Sequence, residues 1–356
     1  MAAAPDLSHT SRIYVRAPNW VGDFVMATAS LARIRKNFPK AHIALAARPF
    51  LEPLCKGSDW FDEFLPTPEV KGVSGMFAEA ARLRRGRYDL AVVLPNSMST
   101  GLVAFLGGVP VRLGYLQGRS WLMTHGLRAI TARHFWQRRR GPRRIPVPMP
   151  NYYRDLLDVL GLQGDALHPD LPITEAARSW VDAHLQSLGV GGGEKIVLFV
   201  VGANFGASKL WMPERFAEAA RRFSASGYRP IVTVGPAEVE LGRRIGQDAG
   251  AITLVDPVLS LDKLSALVAR SALMVTGDTG PRHLAVAFDR PVVCLMGPTD
   301  SRYTDYCLER TALIQKQLPC TPCQMKVCPL GHHQCMRDIG VDEVVQRGMD
   351  LLAKFG

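Results

Sequence analysis

No acidic residue lies between Asp89 and Asp155. Residues 90–153 carry nine arginines and no lysine, so +9 of the formal net charge of +11 belongs to this one segment. The rest of the chain is close to neutral. Other absences narrow the field. No apolar run approaches the ~18 residues that a membrane-spanning helix needs. The opening MAAAPDLSHTSR lacks the basic start and apolar stretch of a secretory leader. A cytoplasmic protein is therefore expected. No G-x-G-x-x-G follows the first strand-like run, and P-loop, G-x-S-x-G and H-E-x-x-H patterns are missing. A nicotinamide dehydrogenase, an ATPase and a serine hydrolase each lose support.

What is present is a chain of 356 residues, 47% hydrophobic and 21% charged, the composition of a soluble globular protein. That length exceeds one ordinary core and suits two domains. RIYVRA (12–17), HIALAA (42–47), DLAVVLP (89–95) and VRLGY (111–115) read as strands. After Phe24, Ala27, Leu31, Ile34 and Phe38 recur at helical spacing. The second half repeats the pattern. KIVLFVV (195–201), RPIVTVG (229–235), ALMVTG (272–277) and PVVCLMG (291–297) read as strands. Helices are expected over 213–223 and 264–272, with a closing helix over 341–355. This alternation predicts an α/β protein, with parallel sheets covered by helices on both faces. Ligands of such folds bind at the C-terminal ends of the strands. The stretch around HPDLPI (168–173) reads as a linker.

Four strand-end loops carry polar residues in suggestive places. GDTGPRH (277–283) follows a strand and opens a helix. Gly277 and Gly280 allow positive φ and close backbone approach. Pro281 suits the first helical position. The free N–H groups and dipole of a helix start favour an anion, and Thr279 and His283 can add donors. The same loop also reads as a plain turn capped by Asp278. VGANFGASKLW (201–211) offers Ser208 and Lys209, the lysine being either a solvated residue or a point charge for a diphosphate. In VGPAEVE (234–240), Glu238 and Glu240 are candidates for the two hydroxyls of a ribose, or ordinary acids at a helix start. In APNWVGDF (17–24), Asp23 reads as an N-cap or as a general base facing an inter-domain cleft. Gly22 before it leaves room for a substrate.

Taken in order, PNWVGD, GANFG-SK-W and GDTGPRHLA–PVVCLMGPTD resemble the signatures of glycosyltransferase family 9, the ADP-heptose:lipopolysaccharide heptosyltransferases. The resemblance runs through nearly the whole chain. PNWVGD together with CTPCQMKVCPLGHHQCM looks most like the members that add the second heptose of the inner core. It implies a GT-B architecture of two Rossmann-like, doubly wound domains facing a central cleft. Residues 1–172 would bind the acceptor and 173–340 the nucleotide-sugar donor, with helix 341–356 packing back on the first domain. It further implies inverting transfer of L-glycero-D-manno-heptose from ADP-heptose to the heptosyl-Kdo2-lipid A inner core of lipopolysaccharide. The enzyme would work at the inner face of the inner membrane. Residue by residue, Asp23 would be the base, and Glu240 would hold the ribose. Ser208, Lys209, Asp278, Thr279, Gly280 and His283 would surround the diphosphate. Asn19, Trp20 and Gly22 would face the acceptor. No obligatory cofactor is implied, Mg²⁺ is left open as an addition, and a monomer is expected. The chain departs from the family pattern at Val201, Asn204 and Leu210-Trp211-Met212. These departures bear on donor contacts and not on the class.

The arginine-rich segment fits an acceptor that is a phosphorylated, carboxylate-rich glycolipid, because clustered arginines pair with phosphates and attract anionic lipid. Arg138, Arg139, Arg140, Arg143 and Arg144 are the candidates, in HFWQRRRGPRR (134–144). That stretch is expected to be a mobile loop without acceptor, with Trp121, Phe135 and Trp136 at headgroup level. Nucleic acid is the rival partner for such charge, but no known nucleic-acid module is present, and none is expected to bind. Seven cysteines in a cytosolic chain suit free, metal-bound or catalytic thiols better than disulfides. Cys320, Cys323, Cys328 and Cys335 read C-x2-C-x4-C-x6-C, with zinc-knuckle spacing in the first pair. A structural zinc site and reduced thiols in a family-specific loop both fit. Two other functions compete. One is a GT-B nucleotide-sugar enzyme with another donor or the first-heptose acceptor. The other is a non-catalytic lipopolysaccharide-binding protein.

Overall fold

The computed structural model describes residues 5–67, 72–129, 145–203 and 205–356. The chain divides after Asp170 into two compact units, each with its own sheet. In the first unit, β1 (Arg12–Arg16), α1 (Val21–Asn37), β2 (His42–Ala47), α2 (Glu52–Cys55), β3 (Glu63–Pro66), α3 (Gly72–Gly86), β4 (Leu90–Val93), α4 (Met98–Leu106), β5 (Val111–Gly114) and α5 (Met149–Asp158) follow in order. The strands form a parallel sheet in the order β3-β2-β1-β4-β5. Val15 stands opposite Leu45 on one side and Val92 on the other. Helices cover such a sheet on both faces, so its central strands are buried along nearly their whole length and read as apolar runs.

The second unit holds α6 (Glu175–Ser187), β6 (Ile196–Val200), α7 (Pro213–Ala225), β7 (Arg229–Thr233), α8 (Val239–Ala249), β8 (Ile252–Leu254), α9 (Leu261–Arg270), β9 (Leu273–Gly277), α10 (Gly280–Ala287), β10 (Val292–Met296), β11 (Thr311–Gln315), α11 (Gln334–Arg337) and α12 (Val341–Phe355). Its sheet is again parallel, in the order β11-β10-β9-β6-β7-β8. The expected α/β class, with two Rossmann-like sheets, is therefore what the chain adopts.

Helix α12 packs on the sheet of its own unit. Val344, Val345 and Leu352 join the core of the second unit, with Phe223, Leu273 and Val293. The fit is close: a Cβ at Gly348 would come within 2.6 Å of the Phe223 ring. Lys316 pairs with Glu343 at 2.7 Å, and Arg310 lies over the Phe355 ring at 4.5 Å. Trp211, in the run that departs from the family pattern, is buried and donates its indole N–H to the Ile339 carbonyl at 3.0 Å, just before α12. Among the described residues no helix is long and apolar enough to cross a membrane.

Candidate active site

The strand order of the second unit reverses at β6, which lies between β7 and β9. Such a reversal opens a crevice at the strand ends. The loops that leave β6 and β9 carry Lys209 and Asp278. Lys209 Nζ donates to the Asp278 carboxylate and to its carbonyl, both at 2.7 Å. Arg282, in the first turn of α10, stands 3.6 Å from the other carboxylate oxygen. Thr299 Oγ1 donates to Asp278 Oδ2 at 2.6 Å. The side chains of Lys209, Asp278 and Arg282 are only 10%, 9% and 0% exposed. Burial pushes the Asp278 carboxyl up, but Lys209 and Arg282 outweigh it and hold the group below the usual carboxylate range. Two cations meet one anion, so the cluster keeps a net positive charge. Asp278 cannot face a phosphate directly without repulsion; its carboxylate instead fixes the two cations. Arg282 is held from behind by Thr304, through the hydroxyl at 2.7 Å and the carbonyl at 3.1 Å. Neither Arg282 nor Thr299 was singled out from the sequence.

Helix α10 starts beside this cluster, with Thr279 as its N-cap in extended backbone. The N–H groups of its first turn lack intrahelical acceptors and carry the positive end of the dipole. Asp278 is not the cap, so the plain capped turn gives way to the ion-paired arrangement. Neither Gly277 nor Gly280 adopts positive φ. The glycine that does is Gly206 (φ 155°), where a Cβ would come within 2.4 Å of the Lys326 carbonyl. His283 is buried, with its ring parallel to that of Tyr306 and Nδ1 2.8 Å from the tyrosine hydroxyl. Burial, and then the charge of Arg282, press its imidazole down to about 3, so the ring is neutral at pH 7. Ser208 is buried and donates its hydroxyl to the Met325 carbonyl at 2.5 Å. Its only O–H proton is therefore committed to that carbonyl. Glu240 is exposed in the first turn of α8 and accepts from Arg243 at 2.8 Å. Glu238 is the acid at the strand ends: it accepts from the Ala203 N–H at 3.2 Å and lies against Gly202 and Gly235.

In the first unit the strand order reverses at β1, which lies between β2 and β4. Arg16 at its end is buried and donates to the carbonyls of Ala17 and Ala46 at 2.6 and 3.2 Å, and to Asn19 Oδ1 at 2.7 Å. These bonds fold the loop over the strand end. Trp20, 55% exposed, is the N-cap of α1, and Gly22 is buried. Asp23 falls in the first turn of the helix, half-buried, so it is not the N-cap. The helix dipole favours a carboxylate there. Burial, and then the Asp23 charge, raise the phenol of Tyr153 well above its ordinary value, which places Tyr153 as a neighbour that sequence reading missed.

Cys320, Cys323, Cys328 and Cys335 line one hollow of about 20 Å³ with His332 and His333. None of the seven cysteines is in a disulfide. Among the described residues no group of three or more His, Cys, Asp or Glu side chains is placed to hold a metal ion. The stretch is bonded to neighbouring loops. Arg138, Arg139, Arg140, Arg143 and Arg144, with Phe135, Trp136 and Asn204, lie outside the described residues.

Two Rossmann-like parallel sheets, with a buried cationic cluster and a helix start at a reversal of strand order, define a GT-B-type α/β enzyme. The chain belongs to glycosyltransferase family 9 (heptosyltransferase), whose sequence pattern matches residues 76–334, and it is a glycosyltransferase. It is 26% identical to lipopolysaccharide heptosyltransferase 2 of Escherichia coli K12 over 350 residues, covering 94% of this chain and 97% of that protein. The solved structure of the E. coli ADP-heptose LPS heptosyltransferase II matches with a TM-score of 0.77 at 25% identity, over 96% of this chain and 99% of that one. The family 9 glycosyltransferase of Veillonella parvula DSM 2008 shares the fold, with a TM-score of 0.81 at 22% identity over 99% of each chain.

Proposed function

We propose that the protein transfers L-glycero-D-manno-heptose, with inversion, from ADP-heptose to the heptosyl-Kdo2-lipid A inner core of lipopolysaccharide. The observation that carries this reading is the Lys209–Asp278–Arg282 cluster beside the first turn of α10. Its fixed positive charge suits a diphosphate leaving group. Similarity to heptosyltransferase 2 over nearly the whole chain supports the choice of sugar and acceptor.

In this mechanism the acceptor hydroxyl gives its proton to the Asp23 carboxylate as its oxygen bonds C1 of the heptose. The bond from C1 to the β-phosphate oxygen breaks, and its electron pair leaves with ADP. Lys209 and the N–H groups around Thr279 and Gly280 take up the charge that develops there. Asp278 acts through Lys209 and Arg282. The neutral His283 ring would offer an Nε2 proton to the diphosphate in the tautomer in which the Tyr306 hydroxyl, 2.8 Å away, donates to Nδ1. Glu240, exposed on α8, takes the ribose. Asn19, Trp20 and Gly22 bind the acceptor, and the charge of the arginines at 138, 139, 140, 143 and 144 favours an acceptor at an anionic membrane surface.

The test is ADP release by the purified protein, given ADP-heptose and lipopolysaccharide acceptors that carry either no heptose or one. Release with the one-heptose acceptor alone is expected. Release with the heptose-free acceptor alone overturns the acceptor assignment. No release with either, while ADP still binds, overturns the proposed pairing of donor sugar and acceptor and points to another acceptor or donor sugar.

A further inference from the structure

The mechanism above uses nothing from residues 320–335, which hold four of the seven cysteines and two histidines. Their polar bonds run to the loop that carries Lys209. The Ser208 N–H donates to the Lys326 carbonyl at 3.1 Å. The Ser208 hydroxyl donates to the Met325 carbonyl at 2.5 Å. The Ser208 carbonyl lies 2.8 Å from His333 Nε2. A carbonyl only accepts, so His333 carries a proton on that nitrogen. All three polar groups of Ser208 are thus taken by this one stretch, and the next residue is Lys209. The backbone of the same loop presses on Lys326 at Gly206, where there is no room for a side chain. From the other side, the Gln324 N–H donates to the Pro298 carbonyl at 2.8 Å, one residue before Thr299, whose hydroxyl holds Asp278. His333 itself adopts left-handed backbone (φ 53°, ψ 27°). A non-glycine residue keeps that conformation only where its surroundings fix it.

We propose that residues 324–333 form a positioning clamp on the donor site, with His333 as its principal positioning residue. By gripping Ser208 at all three polar groups, the clamp sets where the Lys209 ammonium stands relative to Asp278 and the start of α10. The bond from Gln324 to Pro298 ties the Thr299 loop to the same clamp. This rests on the reading of Lys209 as the diphosphate lysine.

The test compares His333→Asn, His333→Gln and Lys209→Ala with the wild type in the full chain. ADP affinity is read by calorimetry, donor KM and kcat by ADP release, and integrity by thermal melting. Asparagine tolerates left-handed backbone, but its amide falls short of the Ser208 carbonyl. The glutamine amide nitrogen reaches about as far as Nε2. His333→Asn is expected to weaken ADP binding and raise donor KM about tenfold, the loss of one well-placed hydrogen bond, with kcat changed less. His333→Gln should restore most of both, at a similar melting temperature. Unchanged ADP affinity and donor KM in His333→Asn overturn the clamp. Equal losses in the Asn and Gln variants also overturn it, because they report packing and not the bond. If Lys209→Ala binds ADP normally, the donor-site reading itself fails, a result distinct from failure of the clamp alone.

Discussion

At the scale of single residues, His283 and Asp278 hold the charge states they do because of what surrounds them. His283 stays neutral because burial and Arg282 disfavour a second cation. Its folded-state value is depressed to about 3, while an unfolded histidine titrates near ~6.5. The unfolded chain therefore binds the proton first. The stability that His283 contributes is complete above pH ~6.5 and drains away as pH falls toward 3, by at most ~1.4 kcal/mol per pH unit. Urea unfolding between pH 4 and 8 should show a steeper acid decline in the wild type than in His283→Gln; parallel profiles would mean that the ring is not buried neutral. Asp278 follows the same sign at lower pH, because its value is also depressed. For Asp23, replacement by Asn should lower turnover by roughly 10²–10⁴ and leave ADP affinity unchanged. Steady-state ADP release and calorimetry decide it, and full activity would remove Asp23 from the mechanism. Lys209, Asp278 and Asp23 were legible in the sequence as polar residues in short loops between buried strands and helices. Arg282 stands in the same loop as Asp278, but its partner Thr304, and Thr299, the partner of Asp278, come from a loop further along the chain. No local pattern announces such a meeting. Nothing near Ser208 in sequence hints at its bonds to Met325 and Lys326.

At the scale of elements, the central strands and the edge strand β5 were readable, and the edge strands β3, β8 and β11 were not. β6, β9 and β10 are buried along their whole length, so each is an unbroken apolar run. β3 is an edge strand with one buried residue in EFLP, β8 has three residues, and β11 is half-exposed along most of its length. None of these carries a periodic signal long enough to separate it from a loop. The closing helix was legible as a helix. An amphipathic face shows that a partner exists and not which residues supply it. At Gly348 a side chain would strike Phe223 and Leu273. Gly348→Val should overpack this seam and cost ~1–3 kcal/mol. Thermal melting checks it, and an unchanged midpoint would mean that α12 can lift off the sheet without loss.

At the scale of the whole molecule, two units with separate sheets should respond separately to a ligand that touches one of them. ADP at ~100 times its Kd adds about 2.7 kcal/mol to the unit that binds it. In native-state hydrogen exchange, the slowest amides of β6, β9 and β10 should then slow by about 100-fold. Those of β1 and β4 should not. Equal slowing in both sheets would show that the two units open as one. The placement of α12 reaches beyond the finished protein to its synthesis. Domains fold in the order in which they leave the ribosome. All the strands and helices of the first unit precede Leu171, so that unit can fold while the rest is still being made. The second cannot seal its core until Phe355 has emerged, because Val344, Val345 and Leu352 are part of it. A nascent chain halted before residue 341 would carry a finished first unit and, behind it, a second sheet with one face still open to chaperones and proteases.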